Sequence, residues 1–560
     1  MCGIAGFISE NRDYDAKKIV ASMLDVMKYR GPDQYGIKTY GSCTIGMVRL
    51  SIIDKNTHEI PYEDASGRYA IVYNGEIYNH DTIKSSLLSK YGFKTDSDAE
   101  TALYNYIDKG VKSFDGYNGM YAFAIYDSVE RTLCIVRDKT GEKPMYYARG
   151  RDFFAFASEM KCLLKVIPAE LNAAAISYKA YEFTSGSETL FKNILSLEPG
   201  EYIRADTRGY TRHEYWKVWN NIIEIPDDKK KILKDLHDLV EDSIYLRTKN
   251  CVHHFGCFVS GGLDSALAAC IAKPDYIYTV HYDYDDFDEL DYARLVAARL
   301  KKELVVITPD KEDFLRTREA VAFHLDTPCT WTSFSLWMLL ERAQKDIKVV
   351  MTGDGADEAF SGYYRYLLLY HDEQIKQVEA LNKYSYLINK YYGSPAERYA
   401  RLVNRCENQF DESVNAWLRE SIGYYFDKVN GDIVHAMGLN DFYSTMQVLL
   451  QMSDRLSMAF SIENRSPFLD YRLIQYGFSM PSKYKIKGGI TKWALKEIAK
   501  KIVPKEIIQR TDKRGFSAPV NKWFEWDKSG KYDRTAYKNM VYEDWKMVFN
   551  IKTATALRHV

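Results

Sequence analysis

The second residue of the chain is a cysteine, and its position gives it a chemistry that an internal cysteine lacks. Removal of Met1 would leave Cys2 with both a thiol and a free α-amino group. The reference pKa of an α-amino group is about 7.7–8.0, so part of it is neutral near pH 7 and can act as a base. Cys2 could then serve as nucleophile and base together, although a cysteine at this position, taken alone, is more often an ordinary buried residue.

A second candidate site is the segment Ser-Gly-Gly-Leu-Asp-Ser at 260–265, which we predict to join a strand to a helix. Backbone N–H groups and the helix dipole at such a junction favour an anion. The two glycines allow close approach of the backbone, Ser260 and Ser265 offer hydroxyls, and Asp264 is suited to hold Mg²⁺. The Gly-Lys-Ser/Thr ending of a Walker loop is missing, so a γ-phosphate site of the kinase type is not expected.

The two halves of the chain show different patterns of predicted secondary structure, and these elements must position the candidate residues. About the first two hundred residues carry short alternating apolar runs broken by turn signals, a pattern that predicts antiparallel sheets with interposed helices, an α+β arrangement. Beyond residue 231, apolar strands alternate with helices, which implies a parallel α/β sheet. After Ser361 we expect helices almost to the end. The predicted strands of the second half are 255–259, 276–280, 304–308 and 348–351.

We therefore predict two domains and a connection. The first domain covers residues 1–215 and ends in a hairpin. Residues 216–231, with Pro226 and three consecutive lysines, form the linker. The second domain covers residues 232–560 and opens with an amphipathic helix.

Composition excludes several classes of protein. The 560 residues include 76 Lys and Arg against 77 Asp and Glu, so a near-zero net charge of −1 predicts neither a nucleic-acid partner nor a membrane partner. The longest uncharged run, 327–340, is shorter than the roughly 18 residues of a membrane span. The amino terminus lacks the basic region of a signal peptide, and nine cysteines without a Cys-x-x-Cys pair disfavour disulfide or zinc frameworks. We expect a cytoplasmic, multi-domain enzyme.

Five motifs of the first half, the first of them containing Cys2, follow one another in a fixed order. They are Cys2-Gly3-Ile4-Ala5-Gly6, Arg30-Gly31-Pro32-Asp33, Arg49-Leu50-Ser51-Ile52-Ile53-Asp54, Asn74-Gly75-Glu76-Ile77-Tyr78-Asn79 and Asp96-Ser97-Asp98-Ala99-Glu100. This set resembles the class II glutamine amidotransferase domain, an N-terminal-nucleophile hydrolase, and the resemblance implies its α+β sandwich. One departure is Tyr29, where family members commonly carry histidine.

The resemblance implies a nucleophile and an oxyanion hole. Cys2 would attack the side-chain amide of glutamine and form a thioester, while Asn74 and the backbone N–H of Gly75 would stabilise the developing oxyanion. Taken alone, Asn-Gly at 74–75 is typical of a type I′ hairpin turn.

It also implies how glutamine is held. Arg49 would clamp the α-carboxylate, and Asp98 together with the backbone of Glu76 would hold the α-ammonium. Taken alone, Asp98 is typical of a helix N-cap.

The second half carries its own series of motifs. They are Ser260–Ser265, Phe287–Arg294, Gly353-Asp354-Gly355-Ala356-Asp357-Glu358, Asp454–Asp470, Lys492 between Thr491 and Trp493, and Lys513-Arg514-Gly515-Phe516. The first resembles the loop of adenylating PP-loop enzymes, which cleave ATP to AMP and pyrophosphate. Together they resemble the glutamine-hydrolysing asparagine synthetase family, and imply an α/β parallel-sheet PP-loop domain (adenine nucleotide alpha hydrolase-like) with a helical C-terminal part.

Several residues of the second half acquire roles from this resemblance. Lys492 would stabilise the leaving pyrophosphate. Asp354, where many relatives have glutamate, would help to form the acyl-adenylate and would receive a proton from attacking ammonia. The residues expected to bind ATP or pyrophosphate are Phe258, Ser260, Gly261, Gly262, Asp264, Ser265, Val280, Thr352, Gly353 and Lys492.

The acceptor site is less defined. Asp357, Glu358, Glu463 and Arg465 are candidates for ordering aspartate and the metal, and a buried salt-bridge network is an equally good interpretation of them. The acidic run Asp283, Asp285, Asp286 and Asp288 is either a metal site or a solvated loop.

The resemblance implies glutamine, aspartate and ATP as substrates, Mg²⁺ as cofactor and a homodimer. Ammonia released at Cys2 would attack β-aspartyl-AMP, so an enclosed passage between the sites is expected. Three alternatives stay open: another carboxylate acceptor, such as a sugar acid of surface polysaccharides; a β-lactam synthetase, which the intact Cys2 disfavours; and a non-catalytic regulatory descendant.

Overall fold

The computed structural model describes residues 1–551, with gaps. The gaps are 53–55, 57, 185, 250, 285–286, 378–392, 405–411, 430, 511–515 and 527–534. The sequence features that lie outside the described residues are Ile53-Asp54, Asp285, Asp286 and Lys513-Arg514-Gly515.

The first part of the chain contains twelve strands and five helices among its described residues. The strands are β1 (Cys2–Ile8), β2 (Gln34–Tyr40), β3 (Cys43–Arg49), β4 (Tyr62–Glu63), β5 (Tyr69–Ile77), β6 (Gly119–Asp127), β7 (Thr132–Arg137), β8 (Tyr146–Arg149), β9 (Phe154–Ala157), β10 (Leu195–Ser196), β11 (Glu201–Ala205) and β12 (Tyr210–Glu214). The helices are α1 (Ala16–Val26), α2 (His80–Leu87), α3 (Asp98–Lys109), α4 (Met160–Leu163) and α5 (Ala174–Tyr181).

These strands form two six-stranded antiparallel sheets, in the orders β10-β8-β9-β1-β3-β2 and β12-β11-β7-β6-β5-β4. The alternation of side chains along β1 shows how the two sheets pack. Ile4 belongs to the core that both sheets share, whereas Ala5 and Phe7 belong to the core on the other side, with Leu24 of α1. Helix α3 packs against β5. The predicted α+β sandwich is confirmed.

The second part contains five strands and sixteen helices in the portion that the structure describes. The strands are β13 (Phe255–Phe258), β14 (Tyr276–Val280), β15 (Leu304–Ile307), β16 (Val349–Met351) and β17 (Glu463–Arg465). The helices are α6 (Lys229–Thr248), α7 (Leu263–Ala272), α8 (Leu290–Leu300), α9 (Lys311–Leu325), α10 (Ser333–Ala343), α11 (Ala356–Phe360), α12 (Tyr364–Gln377), α13 (Pro395–Val403), α14 (Glu412–Phe426), α15 (Ile433–Tyr443), α16 (Thr445–Ala459), α17 (Tyr471–Ser479), α18 (Trp493–Ala499), α19 (Lys505–Gln509), α20 (Val520–Trp523) and α21 (Thr535–Val548). No helix in the described part of the chain has the length and apolar character needed to cross a membrane.

The strands of this part form one parallel sheet in the order β15-β14-β13-β16-β17. The chain leaves β13 towards β14 on one side and later adds β16 on the other, so the strand order reverses between β13 and β16. Ligands of open parallel sheets bind at such a reversal, outside the carboxyl ends of the strands. The loops after β13 and β16 are therefore placed to form a site.

Strand β17 corrects the sequence prediction, which had only helices after Ser361. Its three residues pair in parallel with β16, Glu463 opposite Val349 and Arg465 opposite Met351. The segment Glu-Asn-Arg has no apolar run that could indicate a strand. The sheet ladder and complete burial of the strand determine its conformation instead.

The segment predicted as a linker packs against both parts of the chain. Trp216 and Val218 belong to the core of the second part, and the Val218 N–H donates to the Tyr443 hydroxyl at 3.1 Å. Lys217 pairs with Glu201 of β11 at 3.1 Å. The domain limits at 215 and 232 stay a prediction.

Candidate active sites

Cys2 begins β1 and lies opposite Arg49, the last residue of β3. Its backbone N–H donates to Oδ1 of Asn74 at 2.9 Å. Burial raises the pKa of the Cys2 thiol, although the Met1 amino group and Arg49 act in the opposite direction. The thiol is therefore protonated at rest and needs a base to become a nucleophile.

Asn74 is fixed by that bond in an orientation suited to an oxyanion hole. Because Oδ1 accepts from Cys2, the buried Nδ2 points elsewhere, and it has no hydrogen-bond partner among the described residues. Next to it, β5 pairs with β6 so closely that a Cβ on Gly75 would lie 2.1 Å from the carbonyl oxygen of Met120. Only glycine fits there, and the strand pairing excludes a hairpin turn at this position.

Arg49 and Asp98 line the same cavity. The Asp98 carboxylate accepts hydrogen bonds from the Tyr73 hydroxyl at 2.6 Å and the Ile77 N–H at 2.9 Å. Burial raises the pKa of Asp98, so a cationic ligand would help to keep it ionised. Arg49 donates to the side chain of Gln34.

This first cavity has a volume of about 40 Å³. The predicted residues that line it are Cys2, Arg49, Gly75, Glu76 and Asp98. The structure thus brings together residues that are up to 96 positions apart in sequence, and Asn74 joins them through Cys2.

Met1 also lines this cavity. Its ammonium group donates to Oε2 of Glu463 at 3.1 Å and to the carbonyl oxygen of Leu50 at 3.3 Å. While Met1 is attached, it occupies space beside Cys2 and leaves Cys2 without a free α-amino group. The glutaminase chemistry expected from the sequence therefore requires its removal.

Arg30 connects Cys2 to the second part of the chain. Its Nε donates to the Cys2 carbonyl oxygen at 3.0 Å, and Nη1 donates to Glu159 at 2.9 Å and to Asp454 at 2.8 Å. Tyr29 donates to Glu159 at 2.5 Å. The tyrosine that departs from the family pattern therefore supports the same network. Sequence reasoning quoted Arg30 within a motif but did not assign it a role.

A second cavity, of about 200 Å³, lies at the carboxyl ends of β13 and β16, where the strand order reverses. The predicted residues that line it are Phe258, Ser260, Gly262, Asp264, Ser265, Thr352, Gly353, Asp354, Asp357 and Glu358. Three of the residues expected to bind ATP or pyrophosphate do not line it. Gly261 lies against the side chain of Tyr292, Val280 packs in the apolar cluster beside Phe258, and Lys492 lies next to the cavity as a partner of Asp264 and Asp357.

Lys492 joins the two loops of this cavity. Its Nζ lies 2.5 Å from Asp264 and 2.6 Å from Asp357. Gly353 allows the loop after β16 to lie close to Asp264, since a Cβ on residue 353 would lie 2.8 Å from the Cβ of Asp264. One buried cation is thus surrounded by carboxylates from both loops, a suitable position for the charge of a leaving pyrophosphate.

The donor set also fits Mg²⁺ in its usual protein form. Mg²⁺ is commonly held by one or two carboxylates together with substrate phosphates, and Asp264 and Asp357 are such carboxylates. Within the described ranges, no group of three His, Cys, Asp or Glu side chains is placed to hold a metal without a substrate.

Asp354 is held by hydroxyl groups. Its Oδ2 accepts from Thr352 at 2.9 Å and Ser453 at 3.2 Å, and Ser466 lies 3.5 Å away. Glu358 behaves differently: burial and the neighbouring carboxylate of Asp357 raise its pKa to about 8. Glu358 is therefore mostly protonated at neutral pH.

Glu463 and Arg465 do not lie at the second cavity, although both were candidates for the aspartate site. Nε of Arg465 donates to Oε1 of Glu463 at 2.7 Å, and its Nη2 pairs with the carboxylate of Glu76. Both are buried, on the face of β17 that meets the first domain. The structure corrects their placement: they form the buried salt-bridge network that was the alternative interpretation.

Arg510 is a residue that sequence reasoning missed. It pairs with Glu289 at 2.7 Å, stacks over the Tyr292 ring at 4.1 Å and donates to the carbonyl of Gly261 at 3.3 Å. It thereby supports the loop after β13. Since it lies outside the recognised motifs, no sequence signal indicated it.

Comparison with known proteins agrees with both halves of the chain. The family model described as asparagine synthase matches residues 235–550, and the one described as glutamine amidotransferase domain matches residues 1–216. The glutamine-hydrolyzing asparagine synthetase 1 of Bacillus subtilis is 28% identical, over 94% of this chain and 88% of its own length. A putative glutamine-hydrolyzing asparagine synthetase of Mycobacterium bovis is 29% identical, over 93% of this chain and 88% of its own.

A solved structure, the glutamine phosphoribosylpyrophosphate amidotransferase of Bacillus subtilis, matches 63% of this chain and 82% of its own at 14% identity. Its TM-score of 0.30 is too low to support an argument.

A glutamine amidotransferase domain joined to an asparagine synthase domain defines an ATP-dependent carbon–nitrogen ligase that uses glutamine as amido donor. The asparagine synthase family model matches more than half of the sequence, and the chain therefore belongs to the asparagine synthase family.

Proposed function

We propose that this enzyme makes asparagine from aspartate, with glutamine hydrolysed at Cys2 and aspartate activated by ATP. The observation that supports the glutaminase reaction is the hydrogen bond from the Cys2 N–H to Asn74 Oδ1, which leaves Asn74 Nδ2 without a partner among the described residues. Once Met1 is removed, the Cys2 α-amino group takes the thiol proton, and sulfur attacks the glutamine amide. Asn74 Nδ2 stabilises the oxyanion, ammonia leaves, and water releases glutamate from the thioester.

In the second cavity, the acceptor carboxylate attacks the α-phosphorus of ATP. Pyrophosphate leaves towards Lys492, with Asp264 and Asp357 placed to hold Mg²⁺ with the phosphates. Bound Mg²⁺ would neutralise phosphate charge. Ammonia then attacks the acyl-adenylate, Asp354 accepts a proton, and AMP departs.

The charge of the cavity supports aspartate as the acceptor. Asp354 and Asp357 line the cavity, and the neighbouring Lys492 already pairs with Asp264 and Asp357. A cavity lined by these carboxylates favours a substrate that carries an ammonium group besides its reacting carboxylate. Aspartate has this group, whereas a simple sugar acid does not.

The test is a product analysis with glutamine, ATP, Mg²⁺ and aspartate, following asparagine, AMP and pyrophosphate. We expect all three products in equal amounts. Cys2→Ala should make asparagine only when ammonia is added, because only the first site is removed. Glutamate release without asparagine or AMP would point to another carboxylate acceptor, and absence of any glutamine turnover would favour the regulatory descendant.

Two further assignments stay proposals. We propose a homodimer, for which light scattering should give twice the 64.9 kDa mass of one chain. We also propose that Met1 is removed in the active enzyme. Mass spectrometry of the intact protein should show the loss of one methionine, and retained Met1 in fully active protein would contradict the base assigned to the Cys2 α-amino group.

A further inference from the structure

Glu463 belongs to the second part of the chain but lines the first cavity, together with Cys2 and Asp98. Its side chain is 1% exposed. Oε1 is occupied by the guanidinium of Arg465 at 2.7 Å, while Oε2 faces the cavity and accepts from the Met1 ammonium at 3.1 Å. The position of this carboxylate beside the nucleophile is not explained by glutamine binding, for which Arg49 and Asp98 are available.

The Met1 ammonium shows what kind of group this position binds. Two oxygens converge on its nitrogen, Oε2 of Glu463 and the carbonyl oxygen of Leu50 at 3.3 Å. Although burial opposes ionisation, the neighbouring Arg465, which stays in place when Met1 is removed, lowers the pKa of Glu463. The acceptor is thus a full carboxylate. Removing Met1 withdraws the donor from both oxygens, and a buried acceptor that loses its donor costs free energy.

We propose that Oε2 of Glu463 and the carbonyl oxygen of Leu50 form a receiving site for the ammonia that leaves glutamine at Cys2. The proposal rests on the proposed glutaminase function. When the tetrahedral intermediate collapses, the C–N bond breaks, the proton held by the Cys2 α-amino group passes to the leaving nitrogen, and neutral NH₃ departs. Two of its N–H groups then donate to the two oxygens that the Met1 ammonium occupies in the structure.

The strand that carries Glu463 places this site at the boundary between the two cavities. Side chains alternate along a strand. Glu463 lines the first cavity and Arg465 lies on the same side of the strand, whereas Asn464 accepts from Thr352 at 3.1 Å, and Thr352 in turn bonds Asp354. Ammonia at Glu463 is therefore separated by a single strand from the residues around Asp354.

The test measures ammonia at the first site without using the acceptor reaction. The enzyme lacking Met1 is incubated with glutamine and ¹⁵N-labelled ammonium chloride. The thioester either reacts with water and gives glutamate, or reacts with labelled ammonia and regenerates ¹⁵N-glutamine. The ratio of labelled glutamine to glutamate reports ammonia bound beside Cys2.

For Glu463→Gln, we expect this ratio to fall about tenfold, because a charge-assisted hydrogen bond becomes a neutral one. Both products come from the same thioester, so a change in the rate of glutamine hydrolysis alone alters both amounts together and leaves their ratio unchanged. The matched control is Asp326→Asn, which removes another buried carboxylate, paired with Lys161 at 2.8 Å, from the contact between the two parts of the chain. It should leave the ratio unchanged.

An unchanged ratio in Glu463→Gln would overturn the proposal, as would an equal fall in Asp326→Asn, which would indicate a general effect of a weakened domain contact. Failure of the proposed glutaminase function can be distinguished from failure of the receiving site. If the unaltered enzyme releases no glutamate, the proposed function fails and the receiving site fails with it, whereas normal glutamate release with an unchanged ratio rejects the receiving site alone.

Discussion

Arg30 and Asp454 are joined by two hydrogen bonds, of 2.8 and 3.2 Å, although they are 424 positions apart in sequence. Arg30 also holds the carbonyl oxygen of Cys2, and Ser453, the neighbour of Asp454 on α16, donates to Asp354 at 3.2 Å. Cys2 at one candidate site and Asp354 at the other are therefore supported by one buried ion pair between the two parts of the chain.

We expect Arg30→Lys to weaken both the fold and the glutaminase reaction. A lysine cannot reach Cys2, Glu159 and Asp454 together, so buried carboxylates lose partners, which typically costs about 3 kcal/mol of unfolding free energy. Denaturant unfolding and glutamate release measure the two effects. The control is Arg208→Lys, at an exposed arginine that also pairs with an aspartate, Asp206. Equal stability of the two variants would contradict the role of the buried pair.

Asn74→Asp should separate the two half-reactions. The variant keeps an oxygen for the Cys2 N–H but replaces the Nδ2 donor by a negative oxygen, which repels the developing oxyanion. Glutamate release should fall by about 10²–10³ in kcat. Amidation with added ammonia should continue at the original rate, because the second cavity is untouched. Loss of both activities together would show that Asn74 acts through the fold.

Lys492→Met should abolish the second half-reaction selectively. The cation that lies between Asp264 and Asp357 is removed, so the pyrophosphate charge is no longer stabilised and AMP formation should fall by about 10²–10³. Glutamate release without ATP should persist. Lys496→Met, one turn further along α18, is the matched control and should keep AMP formation. Comparable loss in both variants would argue against a specific role of Lys492.

The lowered pKa of Asp470 in the folded protein predicts how the free energy of unfolding depends on pH. Burial opposes its ionisation, but the hydrogen bond from Arg472 and the charge of Arg247 lower its pKa to about 2 in the folded protein. The folded pKa lies below the unfolded value, so this contribution, about 2 kcal/mol, is present above pH ~4 and is lost as the pH falls towards 2.

Urea unfolding between pH 5 and pH 2.5 measures this contribution. In Asp470→Asn the group cannot titrate, so the variant should be less stable at pH 5, and its stability should decline less steeply as the pH falls. Identical slopes for the two proteins would exclude Asp470 as a source of the pH dependence.

Local patterns in the sequence were sufficient for much of the fold and the chemistry. The alternating runs of the first half predicted antiparallel sheets, and the strand-loop-helix pattern around 260–265 predicted an anion site, because both depend on residues close in sequence. The Asn-Gly pair at 74–75 is an exception: taken alone it is typical of a hairpin turn, whereas the pairing of Gly75 with Tyr121 makes it part of a strand.

Other features could not be obtained in this way. β17 has no apolar run, and its conformation depends on pairing with β16, which is more than a hundred residues earlier in the chain. The sequence motif grouped Glu463 and Arg465 with the second site because they adjoin residues that belong there. Alternation along the strand turns both side chains towards the first domain, where Glu463 lines the first cavity and Arg465 pairs with Glu76, while Asn464 and Ser466 face Thr352 and Asp354.

The amino-acid sequence by itself thus indicated the two proposed chemistries, a terminal thiol with its own amine and an anion-binding loop at a helix start, since each depends on a few consecutive residues. Tertiary structure alone decided how the two are connected. The contacts of Arg30 with Asp454 and of Glu463 with the first cavity form only when the two domains pack together, and burial then makes each of these charge pairs strong enough to matter.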